Sequence, residues 1–189
     1  MKIASLFILT ALLSLSKAFA QNNLIDRVGL DVSFNAVGDE AVLSGTIYLE
    51  HDQFKWGNGT FYYGLGAFYG AFPNTSRNIN QFTEGRTSLF QPLQFHLGHQ
   101  FVLLQEKVMV KTALIGAPSL FNQKIVFDDP RYDLESTFNY SELVFTAHTK
   151  AEIAFRVGSR TNIGLFTHLP LINEPIAPLG IGIAVSKMF

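Results

Sequence analysis

Residues 24–34, LIDRVGLDVSF, carry the pattern that decides the fold of this chain. Their even positions are nearly all apolar, and these are Leu24, Asp26, Val28, Leu30, Val32 and Phe34. Their odd positions are mostly polar, and these are Ile25, Arg27, Gly29, Asp31 and Ser33. Because successive side chains of a β-strand point to opposite faces, this alternation predicts a strand with one apolar face and one polar face.

Further segments with the same period of two follow along the chain. They are residues 41–50, 59–71, 87–101, 107–117, 138–157, 162–169 and 179–189. Each has turn-forming residues on at least one side, so the sequence predicts eight strands in all. The charges of residues 138–157 share a single face, which favours one long strand, although a break near residues 149–151 would change the strand count.

The first 20 residues are of a different kind. Lys2 precedes an apolar run over residues 3–15, and Ala18-Phe19-Ala20 fits the small-x-small pattern of a cleavage site. This arrangement predicts a cleaved secretory signal peptide at residues 1–20. A retained anchor helix would need about 20 apolar residues, and the run is shorter. Residues 21–189 have the size of one domain and contain no comparable apolar run, which excludes a helical membrane protein.

The composition excludes several classes of protein. The chain has 48% hydrophobic residues, only 15% charged residues and a formal net charge of -1. It has no Cys, so it has no disulfide scaffold, zinc-thiolate site, thiol nucleophile or lipidated Cys anchor. The near-zero net charge and the lack of a basic patch argue against a nucleic-acid partner. The low charge content is also unusual for a soluble domain, where about 25% is typical.

The predicted connections differ in length between the two ends of the strands. Residues 51–58, 102–106 and 158–161 lie at one end, and residues 35–40, 72–86, 118–137 and 170–178 lie at the other. Short turns on one side, longer polar loops on the other and apolar outward faces are typical of a bacterial outer-membrane barrel. A bilayer offers no water to unpaired backbone groups, so such a sheet must close. We therefore predict an all-β, eight-stranded, antiparallel up-and-down transmembrane β-barrel over residues 21–189.

The inward face of such a barrel decides whether it conducts, because side chains can just fill an eight-stranded interior. The candidate inward charges have both signs and are Arg27, Asp31, Glu50, Lys107, Lys111, Glu142, Lys150, Glu152 and Arg156. Unpaired buried charges are costly, so we interpret these residues as a lumen charge network that fills the barrel. A narrow or gated polar path is the alternative. No metal site is predicted, since His96 and His99 lie three residues apart and point to opposite faces of a strand.

Aromatic residues near the predicted strand ends are expected to form girdles at the membrane interfaces. They are Tyr62, Tyr63, Phe68, Tyr69, Phe72, Phe138, Tyr140, Phe166 and Phe189. Trp56 lies beside Lys55 in a predicted turn, and this position also suits an interface anchor.

Over residues 21–189 the chain resembles the small eight-stranded outer-membrane β-barrel proteins of Gram-negative bacteria. Besides the architecture, the resemblance depends on the terminal Phe189 preceded by the alternating Val185, Ile183 and Ile181. Such a segment is similar to the signal by which the insertion machinery of the outer membrane recognises these barrels, although Lys187 departs from it. The resemblance implies a monomer that is exported through the periplasm into the bacterial outer membrane and contacts its lipids and lipopolysaccharide.

This family includes adhesins, lipid-modifying enzymes, cell-wall-tethering proteins and structural barrels, so fold alone does not select a function. Our leading hypothesis is a structural or surface-binding role, with functional loops at residues 72–86 and 118–137. One alternative is a lipid A-modifying acyl hydrolase or acyltransferase, with Ser141, His148 and His168 as catalytic candidates, although their spacing matches no such enzyme motif. Another is a secreted soluble lipocalin-like carrier of an apolar ligand, with apolar residues inward. No cofactor is predicted, and the surface ligand stays undetermined.

Overall fold

A computed structural model of the chain describes residues 25–37, 40–78, 81–129, 134–172 and 179–189. The described residues form eight strands: β1 Arg27–Val37, β2 Glu40–Trp56, β3 Gly59–Asn78, β4 Gln81–Leu103, β5 Val108–Asp129, β6 Leu134–Arg156, β7 Thr161–Ile172 and β8 Leu179–Met188. None of the described residues belongs to a helix long and apolar enough to cross a membrane. The predicted signal peptide at residues 1–20 lies outside the described ranges.

The eight strands form a closed antiparallel ring in chain order. β1 pairs with β2 on one side and with β8 on the other, so that Arg27 lies opposite both Glu50 and Met188. β6 runs unbroken through residues 149–151 and pairs with β5 from Phe155 to Leu134. The predicted eight-stranded up-and-down barrel is therefore confirmed, and closure leaves each strand of the ring with a partner on both sides.

Side chains alternate between the exterior and the interior of the ring. In β1, Val32 and Phe34 are 44% and 62% exposed, whereas Arg27 and Asp31 are 1% and 2% exposed. The apolar face of the opening sequence stretch therefore points outward, and its polar face lines the interior. This is the reverse of the arrangement in a soluble domain, where apolar side chains fill the core.

The prediction of loops at residues 72–86 and 118–137 is wrong, because most of these residues belong to strands. Residues 72–78 and 81–86 continue β3 and β4, which stay paired until Asn78 lies opposite Gln81. Residues 118–129 and 134–137 likewise continue β5 and β6. Polar and turn-forming residues predict loops, but backbone hydrogen bonds continue the pairing of two strands without any alternation in polarity. We call these segments the extended hairpins, and their tips at residues 79–80 and 130–133 lie outside the described residues.

The opposite end of the barrel, which we call the turn end, has short connections at residues 57–58, 104–107 and 157–160. β2 continues to Trp56, so the predicted connection at residues 51–58 is reduced to Gly57 and Asn58. Gly57 has φ 58°, a conformation that a residue without a Cβ atom adopts at low cost. The short turns keep neighbouring strands in register where the charged interior begins.

β4 contains one extra residue at Pro92. On β3, Gly66 lies opposite Gln94 while Phe68 lies opposite Gln91, so a single β3 residue faces two β4 residues. A proline cannot donate to a neighbouring strand, and a bulge accommodates it within a sheet. The bulge also turns both Gln91 and Gln94 into the interior, although they are three residues apart.

Candidate functional site

Six charged side chains meet in the half of the interior nearer the turn end. We call them the ion cluster, and they are Arg27, Asp31, Glu50, Lys111, Lys150 and Glu152, all buried. They come from β1, β2, β5 and β6, and alternation places each of them on the inward face of its strand. Three cations and three anions balance in charge, which lowers the cost of removing the groups from water.

The ion cluster is joined by close contacts in two halves. Glu50 Oε2 lies 2.5 Å from Arg27 Nη1 and 2.7 Å from Lys111 Nζ, so one carboxylate serves two cations. Lys150 Nζ lies 2.6 Å from Asp31 Oδ2 and 2.9 Å from Glu152 Oε2, so one cation serves two carboxylates. A 4.0 Å contact between Lys111 and Glu152 joins the halves. The groups form one connected network across the interior.

Three residues predicted for the lumen network lie outside the ion cluster. Lys107 is exposed in the turn between β4 and β5. Arg156 pairs at 2.8 Å with Glu106, which is itself exposed at the turn end. Glu142 accepts a hydrogen bond from Tyr140, which also lies on β6, and this bond raises the pKa of the Tyr140 hydroxyl. Lys107 and Arg156 lie at the turn end, and Glu142 lies on β6 on the other side of the ion cluster, so water can solvate these charges outside the buried network.

Two tyrosines pack against the ion cluster. Lys111 Nζ lies 5.3 Å from the ring centroid of Tyr48 and 4.9 Å from that of Tyr62, in range for a cation–π interaction. Gly29 and Gly98 lie opposite these tyrosines in the strand register. A Cβ atom on Gly29 would lie 2.1 Å from Tyr48 Cζ. Glycine therefore leaves the space in which each ring lies across the lumen.

A pair of stacked imidazoles, His148 and His168, lies beside the ion cluster. Their ring centroids are 4.7 Å apart with an interplanar angle of 25°, and we call them the His stack. Both residues are fully buried, and neither ring nitrogen of either has a hydrogen-bond partner among the described residues. His96 is also buried and has Gln94 Oε1 at 3.2 Å from its Nε2 atom. The interior thus changes from paired charges to neutral rings.

A group of uncharged polar side chains lies on the side of the interior nearer the extended hairpins. Gln91 Nε2 donates to Ser119 Oγ at 3.0 Å and to Thr146 Oγ1 at 2.9 Å. Gln94 Nε2 in turn donates to Gln91 Oε1 at 2.6 Å. These residues are fully buried, and their hydrogen bonds connect β4, β5 and β6 across the interior. Three successive groups of polar side chains therefore line the interior of the ring.

The predicted catalytic candidates do not assemble into a site. His148 and His168 lie together inside the ring, but Ser141 is exposed on β6 and its Oγ donates to Asn122 Oδ1 at 2.7 Å. Ser141 and His148 have opposite parity on an unbroken strand, so they point to opposite faces. A nucleophilic serine needs its base within hydrogen-bond reach, which this arrangement precludes. Among the described residues, no group of three or more His, Asp or Glu side chains is placed to hold a metal ion.

Large apolar side chains cover the exterior of the ring. They are exposed on strands all around the barrel and include Leu30, Val32, Phe34, Leu43, Leu65, Phe95, Leu97, Leu114, Ile153, Phe155, Ile163, Leu165, Leu169, Ile181, Ile183 and Val185. A lipocalin-like carrier needs the opposite distribution, with apolar residues inside. We call this exterior band the apolar belt, and an apolar surface that includes side chains from all eight strands is not typical of a soluble monomer.

The residues of the predicted insertion signal share one face of the last strand. Ile181, Ile183 and Val185 point outward from β8, and Phe189 is exposed just beyond its end. Lys187 is exposed on the same face.

Three of the residues predicted for aromatic girdles are instead inside the ring. Tyr62, Phe68 and Phe166 are buried, because they lie on the inward parity of their strands. Tyr63 and Tyr69 have the opposite parity on β3 and are exposed outside. Girdle residues must therefore be assigned by parity as well as by nearness to a strand end.

No protein-family model matches the sequence, and no curated protein matches it. Among solved structures, the chain is similar to Ail, the attachment invasion locus protein of Yersinia pestis, crystallised with the heparin analogue sucrose octasulfate. The identity is 9%, the coverage is 87% of this chain and 95% of that chain, and the TM-score is 0.43. Neisserial surface protein A is 9% identical, with coverage of 86% and 95% and a TM-score of 0.42.

The N-terminal β-barrel domain of Pseudomonas aeruginosa OprF is 13% identical, with coverage of 87% of this chain and 98% of that domain and a TM-score of 0.38. At such identities a likeness concerns the fold alone. The closed ring of eight antiparallel strands in this chain confirms, at the level of fold, the predicted resemblance to the small eight-stranded outer-membrane barrels.

Several interior residues were not singled out from the sequence. Tyr48 shares the parity of Glu50 on β2, so alternation alone could have placed it inside. His96 likewise has the parity that β4 directs inward near the turn end. Gln91 and Gln94 would occupy opposite faces of a regular strand, and only the bulge at Pro92 brings both inside.

Proposed function

We propose that the chain is a monomeric bacterial outer-membrane β-barrel with a structural or surface-binding role and a lumen closed by its own side chains. The observation that carries this proposal is the inversion of polarity in a closed ring, with buried charges inside and the apolar belt outside. Only a surrounding lipid phase makes the exposure of so many large apolar side chains favourable.

Export and insertion follow from the two ends of the sequence. Residues 1–20 direct the chain through the inner membrane and are removed, and the chain then crosses the periplasm. Ile181, Ile183, Val185 and Phe189 form the signal for the outer-membrane insertion machinery. Their common outward face on β8 supports this role, because a receptor that pairs with the last strand can contact all of them together.

The lumen is proposed to be closed at rest. The ion cluster, the two tyrosines and the His stack come from six of the eight strands and point into the ring, which supports a closed lumen. An eight-stranded barrel has just enough room for such side chains, so no wide water channel remains. The barrel therefore serves as a scaffold in the lipid phase.

The extended hairpins are proposed to project on the cell surface, where they meet lipopolysaccharide and a surface ligand. Their length supports this placement, because β3 to β6 have 20 to 23 residues while about 9 to 11 cross the hydrocarbon region. The short turns at the other end then face the periplasm, as in other bacterial barrels. The four long strands form a rigid support for whatever the hairpins bind.

The test is membrane fractionation of the producing cell, combined with electrophoresis of the detergent-folded protein with and without heating. We expect the protein in the outer-membrane fraction and a shift in mobility on heating, because a closed barrel resists detergent until it is heated. Vesicles containing the folded protein should also retain small ions. Recovery as a soluble periplasmic protein would overturn the membrane proposal, and rapid ion leakage would overturn the closed lumen.

A further inference from the structure

The turn end carries four exposed cations, and these differ from the other charges of the barrel. We call them the basic rim: Lys55, Lys107, Arg160 and Lys187. They lie at the end of β2, in the turn between β4 and β5, in the turn between β6 and β7, and near the end of β8. They are therefore distributed around the ring and do not form a single patch.

The acidic side chains of the turn end are already engaged with other groups. Asp26 Oδ2 lies 2.8 Å from His51 Nδ1. Asp52 Oδ1 lies 3.3 Å from Arg27 Nη2, and Glu106 lies 2.8 Å from Arg156 Nη1. Within the described ranges, no member of the basic rim has an ion pair. The four rim cations therefore have no ionic partner among the described side chains, and they outnumber the three acidic side chains of the turn end.

Each rim cation lies within three residues of a large, exposed apolar side chain. Lys55 is next to Trp56, which is 70% exposed, and Lys187 is two residues from Phe189. Lys107 and Arg160 are each three residues from an exposed apolar side chain, Leu104 and Val157 respectively. A cation beside an apolar anchor is the arrangement by which a protein grips the boundary between hydrocarbon and headgroups.

We propose that the basic rim binds the phosphate groups of anionic phospholipids, of the phosphatidylglycerol class, in the leaflet that surrounds the turn end. This inference rests on the proposed membrane function, since it needs the apolar belt to be embedded in lipid. The positive charges of the rim favour a negatively charged headgroup. Because the rim borders the apolar belt, its partner is a lipid and not an acidic polymer in solution. Each cation near an anionic surface contributes about fivefold to the association.

The chain carries its own probe for this proposal. Trp56 is the only tryptophan of the sequence, and it lies in the basic rim next to Lys55. Brominated acyl chains quench tryptophan fluorescence on contact. The folded protein is reconstituted into mixed bilayers that contain equal fractions of phosphatidylglycerol and phosphatidylcholine, with only one of the two lipids brominated in each sample.

We expect brominated phosphatidylglycerol to quench Trp56 more strongly than brominated phosphatidylcholine, with a relative affinity at least about tenfold in its favour. High salt should reduce this preference, because exposed charges are screened. Replacing all four rim cations with Gln (Lys55→Gln, Lys107→Gln, Arg160→Gln and Lys187→Gln) should abolish it. The matched control is Lys124→Gln, an exposed cation on β5 far from the turn end, which should keep the full preference.

Each of the other outcomes would overturn one of the two proposals. Equal quenching of the unaltered protein by both lipids would overturn the rim proposal and leave the membrane proposal intact. Quenching by neither lipid would overturn the membrane proposal itself. A preference that survives in the fourfold variant, shown to be folded by its mobility shift on heating, would assign lipid selection to other residues and overturn the rim proposal. If the fourfold variant does not fold, the salt dependence of the unaltered protein decides in the same way.

Discussion

The ion cluster and the His stack lie next to each other in the same lumen, yet they are held in different ways. Each of the six charged groups of the ion cluster has an opposite charge within 4.0 Å. The ring nitrogens of His148 and His168 have no hydrogen-bond partner among the described residues, and the two rings are held by stacking and packing. Both regions are polar and buried, but only the ion cluster is held together by attraction between opposite charges.

The difference follows from the cost of burying each kind of group. A buried charge without a partner is strongly destabilising, so the ion cluster has to form as a connected unit. A neutral imidazole loses only its hydrogen bonds to water, which costs about 1–3 kcal/mol for each unsatisfied group. Phe166 lies between the two regions, with Lys150 Nζ at 4.6 Å from its ring centroid and the His168 ring centroid at 4.9 Å.

The largest effect is expected from Glu50→Gln. This change removes the carboxylate that serves both Arg27 and Lys111, and it leaves the ion cluster with one excess positive charge. We expect the free energy of unfolding in lipid vesicles, measured by urea titration, to fall by about 3–5 kcal/mol. Glu106→Gln is the control, because it breaks an exposed pair with Arg156 and should cost at most about 1 kcal/mol. Equal losses in the two variants would show that the cluster does not stabilise the barrel.

An intermediate effect is expected from Gly29→Ala, which displaces Tyr48 at the edge of the ion cluster. The added Cβ atom would lie 2.1 Å from Tyr48 Cζ, so the ring must move. Such overpacking costs about 1–3 kcal/mol, measured by the same urea titration. Gly45→Ala on the neighbouring strand is the control, since its Cβ atom would meet only the Asp31 backbone oxygen, at 3.7 Å. If both variants unfold like the unaltered protein, Tyr48 does not need its present position.

The smallest loss of stability is expected from the double variant His148→Phe with His168→Phe. Phenyl rings keep the stack and remove ring nitrogens that have no partner, so the unfolding free energy should not fall by more than about 1 kcal/mol, and the removal of unsatisfied groups favours a rise. The loss of unfolding free energy would then be large for a change in the ion cluster and small for a change in the His stack. A loss above about 2 kcal/mol would contradict our account, because it would mean that the ring nitrogens have partners that stabilise them.

Much of the lining of the lumen was predictable from the sequence, because the alternation of apolar and polar residues indicates which side chains share the inward face. Arg27 and Asp31 have the same parity in residues 24–34, and that parity points inward in the ring. The extended hairpins were not predictable from polarity, since a strand with water on both faces has no alternation to detect. The nearness of Tyr62 to a strand end predicts a girdle position, but its parity on β3 places it inside the ring. The pairing of Lys150 with Asp31, 119 residues away in sequence, requires the closed ring itself.

The central claim is that the apolar belt faces lipid, and the absence of Cys from the sequence allows a direct test. A spin label attached in the Val32→Cys variant, on the outward face of β1, is compared in vesicles with one in the Lys124→Cys variant on the extended hairpin. We predict that dissolved oxygen, which concentrates in lipid, relaxes the label at position 32 more than a water-soluble nickel complex does, and that the order is reversed at position 124. Equal access of the nickel complex to both labels would contradict the account.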